Sequence, residues 1–324
     1  MDRRSLLIAV SLSLLATPHA TAAPHAAKIL RIGTLGSTPI HPSVEEAFRQ
    51  GLGQFGYIAG QNIIVEHRHA EGRPELLPEL AADFVRLQTD VIFARGPAAV
   101  MAVKKVTSTI PIVAVDLESD PVAMGFVAQL ARPGGNITGV FLDRPELSGK
   151  QLQLLKDVVP GISHVAVLGD PALNAPQFRA VEVAARALRV QLQILEIHEA
   201  KDFDSALEAA RRAPSQAVIV LSSPTVFNQR TRIGTIAAEK RLPTVSLFVE
   251  FAEAGGLMAY GPSVREAVRR CGVYVGRILQ GAKPSELPVE RPEKFELVIN
   301  RKTANALGLT IPPSLLLRAD QIIQ

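Results

Sequence analysis

From residue 29 onward, short runs of continuous apolar residues alternate with longer segments in which apolar residues recur every three or four positions. The short runs predict strands at 29–34, 63–66, 91–94, 112–115, 137–141, 165–168, 192–197, 218–221 and 244–248. Several are rich in Val and Ile without polar alternation, the pattern of parallel strands covered on both faces. The longer segments carry helical stripes. One is Leu76, Leu80, Phe84 and Leu87; a second is Phe178, Val181, Ala185 and Leu188; a third is Val264, Val268, Cys271, Val275 and Ile278. Strand, helix and parallel strand in repetition predict an open, doubly wound α/β sheet with right-handed crossovers. Nine strands are many for one sheet, so two sheets of about five are expected. The irregular stretches 116–121, 250–262 and 280–292 are the candidate crossings between two lobes.

The first 22 residues read as an address. Arg3 and Arg4 form a positive start, 6–16 is apolar, and Ala20-Thr21-Ala22 offers small residues for cleavage near Ala22. The apolar run suits a signal h-region of about 7–15 residues and falls short of the roughly 20 needed to span a bilayer. A periplasmic protein is expected, without direct membrane insertion of the mature chain. Its one cysteine, Cys271, excludes an intramolecular disulfide and sits on an apolar stripe, so it reads as a core thiol. The net charge is +4, but the basic residues are scattered and interleaved with acids, and aromatics make up 5%. Nucleic-acid binding, which needs a basic stripe, is not expected.

Catalytic signatures are lacking in the sequence. Gly51, Gly53 and Gly56 spell the dinucleotide fingerprint, yet they follow a helical run instead of a strand, so Gly56 reads as a helix end and no nucleotide cofactor is expected. His67 and His69 alternate on one strand and make half a metal site, with no pattern nearby to complete it. Neither a nucleophile elbow nor a paired-cysteine motif is present, and the chain is expected to be neither an enzyme nor a metalloprotein.

Chemistry concentrates after the strands, where open parallel sheets bind ligands. Ser37, Thr38 and His41 follow the first strand, with Ser43 placed to cap the next helix. Gly96 and Pro97 follow the third, Asp116 closes the fourth, and Asn174, Ser222 and Glu250 follow later ones. Single loops of this kind are explained by capping. Their convergence at one sheet edge points to a ligand cleft.

Five stretches carry a family resemblance: RIGTL (31–35), HPSVEEAFRQGL (41–52), ARPGGNITGV (131–140), FAEAGGLMAYGP (251–262) and KFELVINRKTANALGLTIPPSLLLRAD (294–320). They resemble the ABC transporter substrate-binding family that includes tryptophan- and tyrosine-type binding proteins, over essentially the whole chain beyond the signal. The resemblance implies a type I periplasmic-binding fold, an α/β architecture of two Rossmann-like lobes with parallel-type sheets joined by a multi-strand hinge. The lobes are expected at 28–117 with 262–283, and at 118–261 with 284–324. Ser37, Thr38, His41, Gly96, Pro97 and Asp116 would line the cleft from one side; Asn174, Ser222 and Glu250 would approach from the other. Asp116 is then the candidate acid for a ligand ammonium. The implied function is the periplasmic solute-binding component of an ABC importer, which takes a small organic solute, such as an amino acid or related carboxylate, to the permease subunits. The alternative is a ligand-sensing subunit for a membrane signalling kinase. Arg95 before Gly96 and DLESDP at 116–121 depart from the commoner family pattern, and both add charge near the cleft.

Overall fold

The computed structural model describes residues 29–324 except residue 214, so the expected export signal at 1–22 lies outside the described residues. Two sheets form. The first contains β1 (Leu30–Gly36), β2 (Ile63–His69), β3 (Val91–Arg95), β4 (Ile112–Asp116) and β5 (Ile137–Phe141), in the order β2-β1-β3-β4-β5, all parallel. The second contains β6 (His164–Gly169), β7 (Gln191–Glu196), β8 (Ala217–Val220), β9 (Thr244–Ser246), β10 (Met258–Gly261), β11 (Glu296–Asn300) and β12 (Gln321–Ile323). Its order is β12-β11-β10-β9-β8-β6-β7, with one antiparallel pair, β10 against β11.

Each of the nine expected strands coincides with an observed one, with ends shifted by at most three residues. The second sheet gains β10, β11 and β12, short strands in stretches without a long apolar run; β10 lies inside the segment 250–262 read as irregular.

Period-two burial explains the lobes' two-sided cores. On β3, Val91 and Phe93 face one layer with Phe48, Val268 and Cys271, while Ile92 and Ala94 face the other with Phe84 and Val100. The first layer is built by α1 (Pro42–Gly53) and α9 (Val264–Leu279), the second by α2 (Leu77–Arg86) and α3 (Pro97–Val106). Cys271 is fully buried and its Sγ lies 3.4 Å from the Ala114 carbonyl oxygen. Burial pushes its thiol pKa up, which leaves it a packing group.

Sheet membership corrects the expected boundary. Residues 118–261 were assigned to the second lobe, but Ile137–Phe141 pairs with β4, and Phe126 and Val127 pack in the first lobe's core. The first crossing therefore follows β5 and leads into α4 (Leu147–Val158) and the second sheet. The chain returns between β10 and α9 and crosses again before β11. On the last passage it adds to the edge of β5: Glu290 N donates to Gly139 O at 2.9 Å, and Phe141 N to Glu290 O at 2.9 Å. Three passages close together restrict relative motion to bending about them.

Candidate functional site

Residues that follow β1, β3 and β4 meet residues that follow β8 and β9 across one cleft with about 520 Å³ of unfilled space, counting its mouth. Only about 70 Å³ of that is enclosed free volume, below the roughly 300–1,000 Å³ of small-molecule pockets, so the lobes stand nearly closed on one another. Val44, Val115, Leu117 and Val268 supply apolar wall from the first lobe; Phe227 and Phe248 supply it from the second. Phe227 stands edge-on to Phe248, with centroids 5.5 Å apart. The polar rim is Thr38, His41, Arg95, Glu118, Ser223 and Asn228.

Three polar contacts tie the lobes together over this space. Asn228, in α7 (Pro224–Glu239), donates through Nδ2 to Thr38 Oγ1. Arg230 donates through Nη2 to His41 Nε2 at 3.1 Å, while its guanidinium lies 4.5 Å from the Phe227 ring centre. Gln177, in α5 (Pro171–Leu188), donates through Nε2 to the Glu118 carbonyl at 3.2 Å. The N-terminal ends of α3 and α7 also touch: a Cβ on Gly96 would sit 3.1 Å from Pro224 Cγ. At φ 81°, Gly96 holds a left-handed conformation that favours glycine.

His41 stands at the N-cap of α1, with Nδ1 2.8 Å from Ser43 Oγ; Ser43, expected to be the cap, is the second residue of the helix. Burial, then the charges of Arg230 and Arg265, hold the imidazole below its usual pKa. Guanidinium only donates, so Nε2 of the neutral ring accepts from Arg230 and Nδ1 carries the proton, which it donates to Ser43 Oγ at 2.8 Å.

The expected site residues divide. Thr38, His41 and Gly96 line the cleft. Ser37 and Pro97 flank them in sequence and are not part of its wall. Asp116 lies under the wall, fully buried: Oδ1 accepts from Glu118 N at 3.0 Å and Ser119 N at 3.2 Å, and Oδ2 from Ser119 Oγ. Asn174 is consumed locally: Nδ2 donates to the Ser222 carbonyl at 2.9 Å and Oδ1 accepts from Asp170 N at 3.0 Å, while Ser222 lies outside this cleft's wall. Glu250, 1% exposed, accepts from Ser263 Oγ at 3.1 Å, Arg265 N at 3.1 Å and Val264 N at 3.4 Å. It joins α8 (Val249–Glu253) to the start of α9, where the chain passes between lobes.

Sequence reasoning missed Glu118, Phe227, Asn228 and Phe248 as wall residues. Phe227 and Asn228 follow the Ser223 cap by one turn, so helix spacing after Ser222-Ser223-Pro224 was the available signal. Arg95 was visible as a departure from the family pattern, a lone cation ending an apolar strand. Its Nη2 donates to Thr38 O at 2.9 Å, its guanidinium fills the space where a Cβ on Gly36 would lie 2.6 Å from Cζ, and its Nε is buried without a partner among the described residues.

Glu118 and Asp116 form a buried acid pair. Burial and then the Asp116 charge push Glu118 well above the usual carboxylate range. A carboxyl raised in the fold contributes its stability below its unfolded pKa and loses it as pH rises through the folded value. Glu118→Gln removes that loss and still donates to Asp116. It is expected to raise the thermal midpoint by about 3 °C at pH 8, the yield of roughly 1 kcal/mol in a chain of this size, with the gain fading towards pH 4.5. An unchanged difference across that range, measured by circular dichroism, would show that no shared proton is involved.

The sequence profile described as ABC transporter substrate binding protein matches residues 38–323. This chain belongs to that family. A curated relative, a tyrosine-binding protein of Clostridioides difficile, is 24% identical over 280 residues, spanning 83% of this chain and 78% of that protein. A conserved domain protein of Vibrio cholerae superposes with a TM-score of 0.80 at 27% identity, over 91% of this chain and all of the other. The ABC domain in complex with L-Trp from Streptococcus pneumonia gives 0.80 at 23% identity, over 91% and 99%. The fold is the type I periplasmic binding protein: two lobes, parallel-dominated sheets and a crevice at the strand ends. The substrate-binding protein thus has its cleft walls where that fold converges loops from both halves.

Proposed function

We propose that this chain is the solute-binding component of an ABC importer, exported to the periplasm, where it closes over a small organic solute, such as an amino acid or related carboxylate, and presents it to permease subunits. The observation that carries the reading is the cleft: apolar walls and a polar rim drawn from both lobes, with Asn228 donating to Thr38 and Arg230 to His41 across it. The tyrosine-binding and tryptophan-bound relatives support a solute of amino-acid size. Thr38, His41 and Gly96 would act from the first lobe and Phe227 and Asn228 from the second. Asp116, Asn174, Ser222 and Glu250 would then serve by holding the loops in place.

A solute that binds only the folded chain stabilises it by about 2.7 kcal/mol at a hundred times its Kd, a midpoint shift of several degrees. Protein unfolded, dialysed and refolded, then screened by differential scanning fluorimetry against amino acids and organic acids, should show such a shift for at least one compound. A metabolite screen that moves nothing, on protein with no solute detectable by mass spectrometry after purification, removes the basis for the reading.

A further inference from the structure

Resting on that reading, we propose that the solute is an organic acid with an apolar body and no α-ammonium, and that Arg95 is the residue that pairs with its acid group. The argument is a charge count around the cleft. Arg95 lines it, half-buried, and makes no ion pair among the described residues. The acid whose charge acts on it, Glu45, is engaged by Arg49 at 2.5 Å. One N–H of Arg95 goes to Thr38 O, and Nε has no partner, so the fork that guanidinium presents to a carboxylate is only partly used. Burial lowers its pKa to about 10, which leaves it charged at neutral pH. A buried charge without an acid beside it is costly, and folds retain such groups where an anion binds.

Arg230, from the opposite lobe, does not line the cleft: it bonds to Phe227 O at 2.7 Å and to His41, and the charges of Glu250 and Glu253 partly offset its own. Arg95 is the cation of the wall, and the wall's one acid is Glu118, whose Oε2 accepts from Leu117 N at 3.1 Å and whose other bond is to Asp116. Both oxygens of Asp116 are turned to its own loop, and those of Glu250 to α9. A zwitterion would thus find a partner for its carboxylate and none free for its ammonium. The remaining wall, Val44, Val268, Phe227 and Phe248, fits a ring or branched chain.

The test is titration calorimetry on unfolded, dialysed and refolded protein with matched triplets: 3-phenylpropanoate, phenylalanine and 3-phenylpropanamide, and the same series with phenol and indole bodies. An acid of the panel is expected to bind at least about tenfold more tightly than its α-amino counterpart and its amide, the scale of one charge-assisted contact. Arg95→Met should weaken the acid by about 100-fold or more while leaving the melting temperature of the refolded protein unchanged or higher, since it removes an unpaired buried charge. Arg95→Lys should recover part of the affinity. An amino acid that binds more tightly than its deaminated acid, or an acid that binds Arg95→Met as well as the parent protein, overturns the assignment. A neutral or cationic solute found co-purifying by mass spectrometry also overturns it while the solute-binding reading stands. Failure of every compound together with no co-purifying solute overturns both.

Discussion

Glu250→Ala is expected to cost about 3 kcal/mol of folding stability, measured by urea denaturation, and to do so in protein with no solute added. The carboxylate is 1% exposed, and its two oxygens receive the Ser263 hydroxyl and the backbone N–H groups of Val264 and Arg265 at the N-terminus of α9. Alanine leaves three donors without their acceptor. Each unsatisfied buried donor costs about 1–3 kcal/mol, partly recovered by water that reaches the cavity. It also removes a negative charge from a helix N-terminus, worth about 0.3–1 kcal/mol. Arg265 keeps its other partner, Glu253, at 2.7 and 2.8 Å, so the surface ion pair survives. Glu250→Gln retains one acceptor oxygen and should lose about half as much. Because α9 packs on the first lobe while Glu250 belongs to the second, the loss falls on the passage between them. If Glu250→Ala left stability within 0.5 kcal/mol (about the scatter of neutral surface changes) and abolished solute binding, Glu250 would belong in the cleft wall after all.

That residue illustrates what the sequence could and could not disclose. The sheet and helix order was legible because burial on both faces leaves continuous Val and Ile runs, and because stripes such as Val264 to Ile278 have a single period. The location of the cleft was legible too, since parallel strands aim their following loops to one edge. What lay beyond reach was the direction of each polar group at that edge. Asp116 and Glu118 are two residues apart, yet one turns into its own loop and the other reaches the wall. Asn174 donates to the backbone carbonyl of Ser222, 48 positions away, a pairing that local pattern does not encode. Phe227 and Phe248 carry no mark in the sequence that separates them from core residues, because apolar walls and apolar cores have the same composition. Arg95 stood out for the opposite reason: a cation that ends the apolar run Val-Ile-Phe-Ala breaks the pattern of a buried strand.

The glycines at 51, 53 and 56 offer the second large effect, and it separates them. Gly51→Ala is expected to destabilise the fold by about 3 kcal/mol, the upper range for overpacking, whereas Gly53→Ala should be neutral or stabilising by up to about 1 kcal/mol, the helix preference of alanine over glycine. A Cβ on Gly51 would come within 2.9 Å of Gly272 Cα and closer still to the Arg269 carbonyl oxygen, both on α9. Gly272 is the reciprocal position: its Cβ would lie 3.0 Å from Gly51 Cα and press on the Phe48 carbonyl oxygen. Backbone cannot rotate away as a side chain can, so the two helices must part. Parting them opens the layer in which Phe48 stacks on Phe93 at 4.6 Å. Nothing stands within 4 Å of a Cβ on Gly53, which ends α1. Gly56, at φ 76°, turns the chain after the helix, and Tyr57 N closes back on Leu52 O at 3.3 Å, the six-residue closure of a Schellman turn. The fingerprint spacing is therefore produced by a close helix–helix contact and a helix end, with no phosphate in the explanation. Urea titrations of Gly51→Ala, Gly272→Ala and Gly53→Ala side by side decide the matter. Equal small effects at all three would mean that α1 and α9 do not approach as closely as this packing requires.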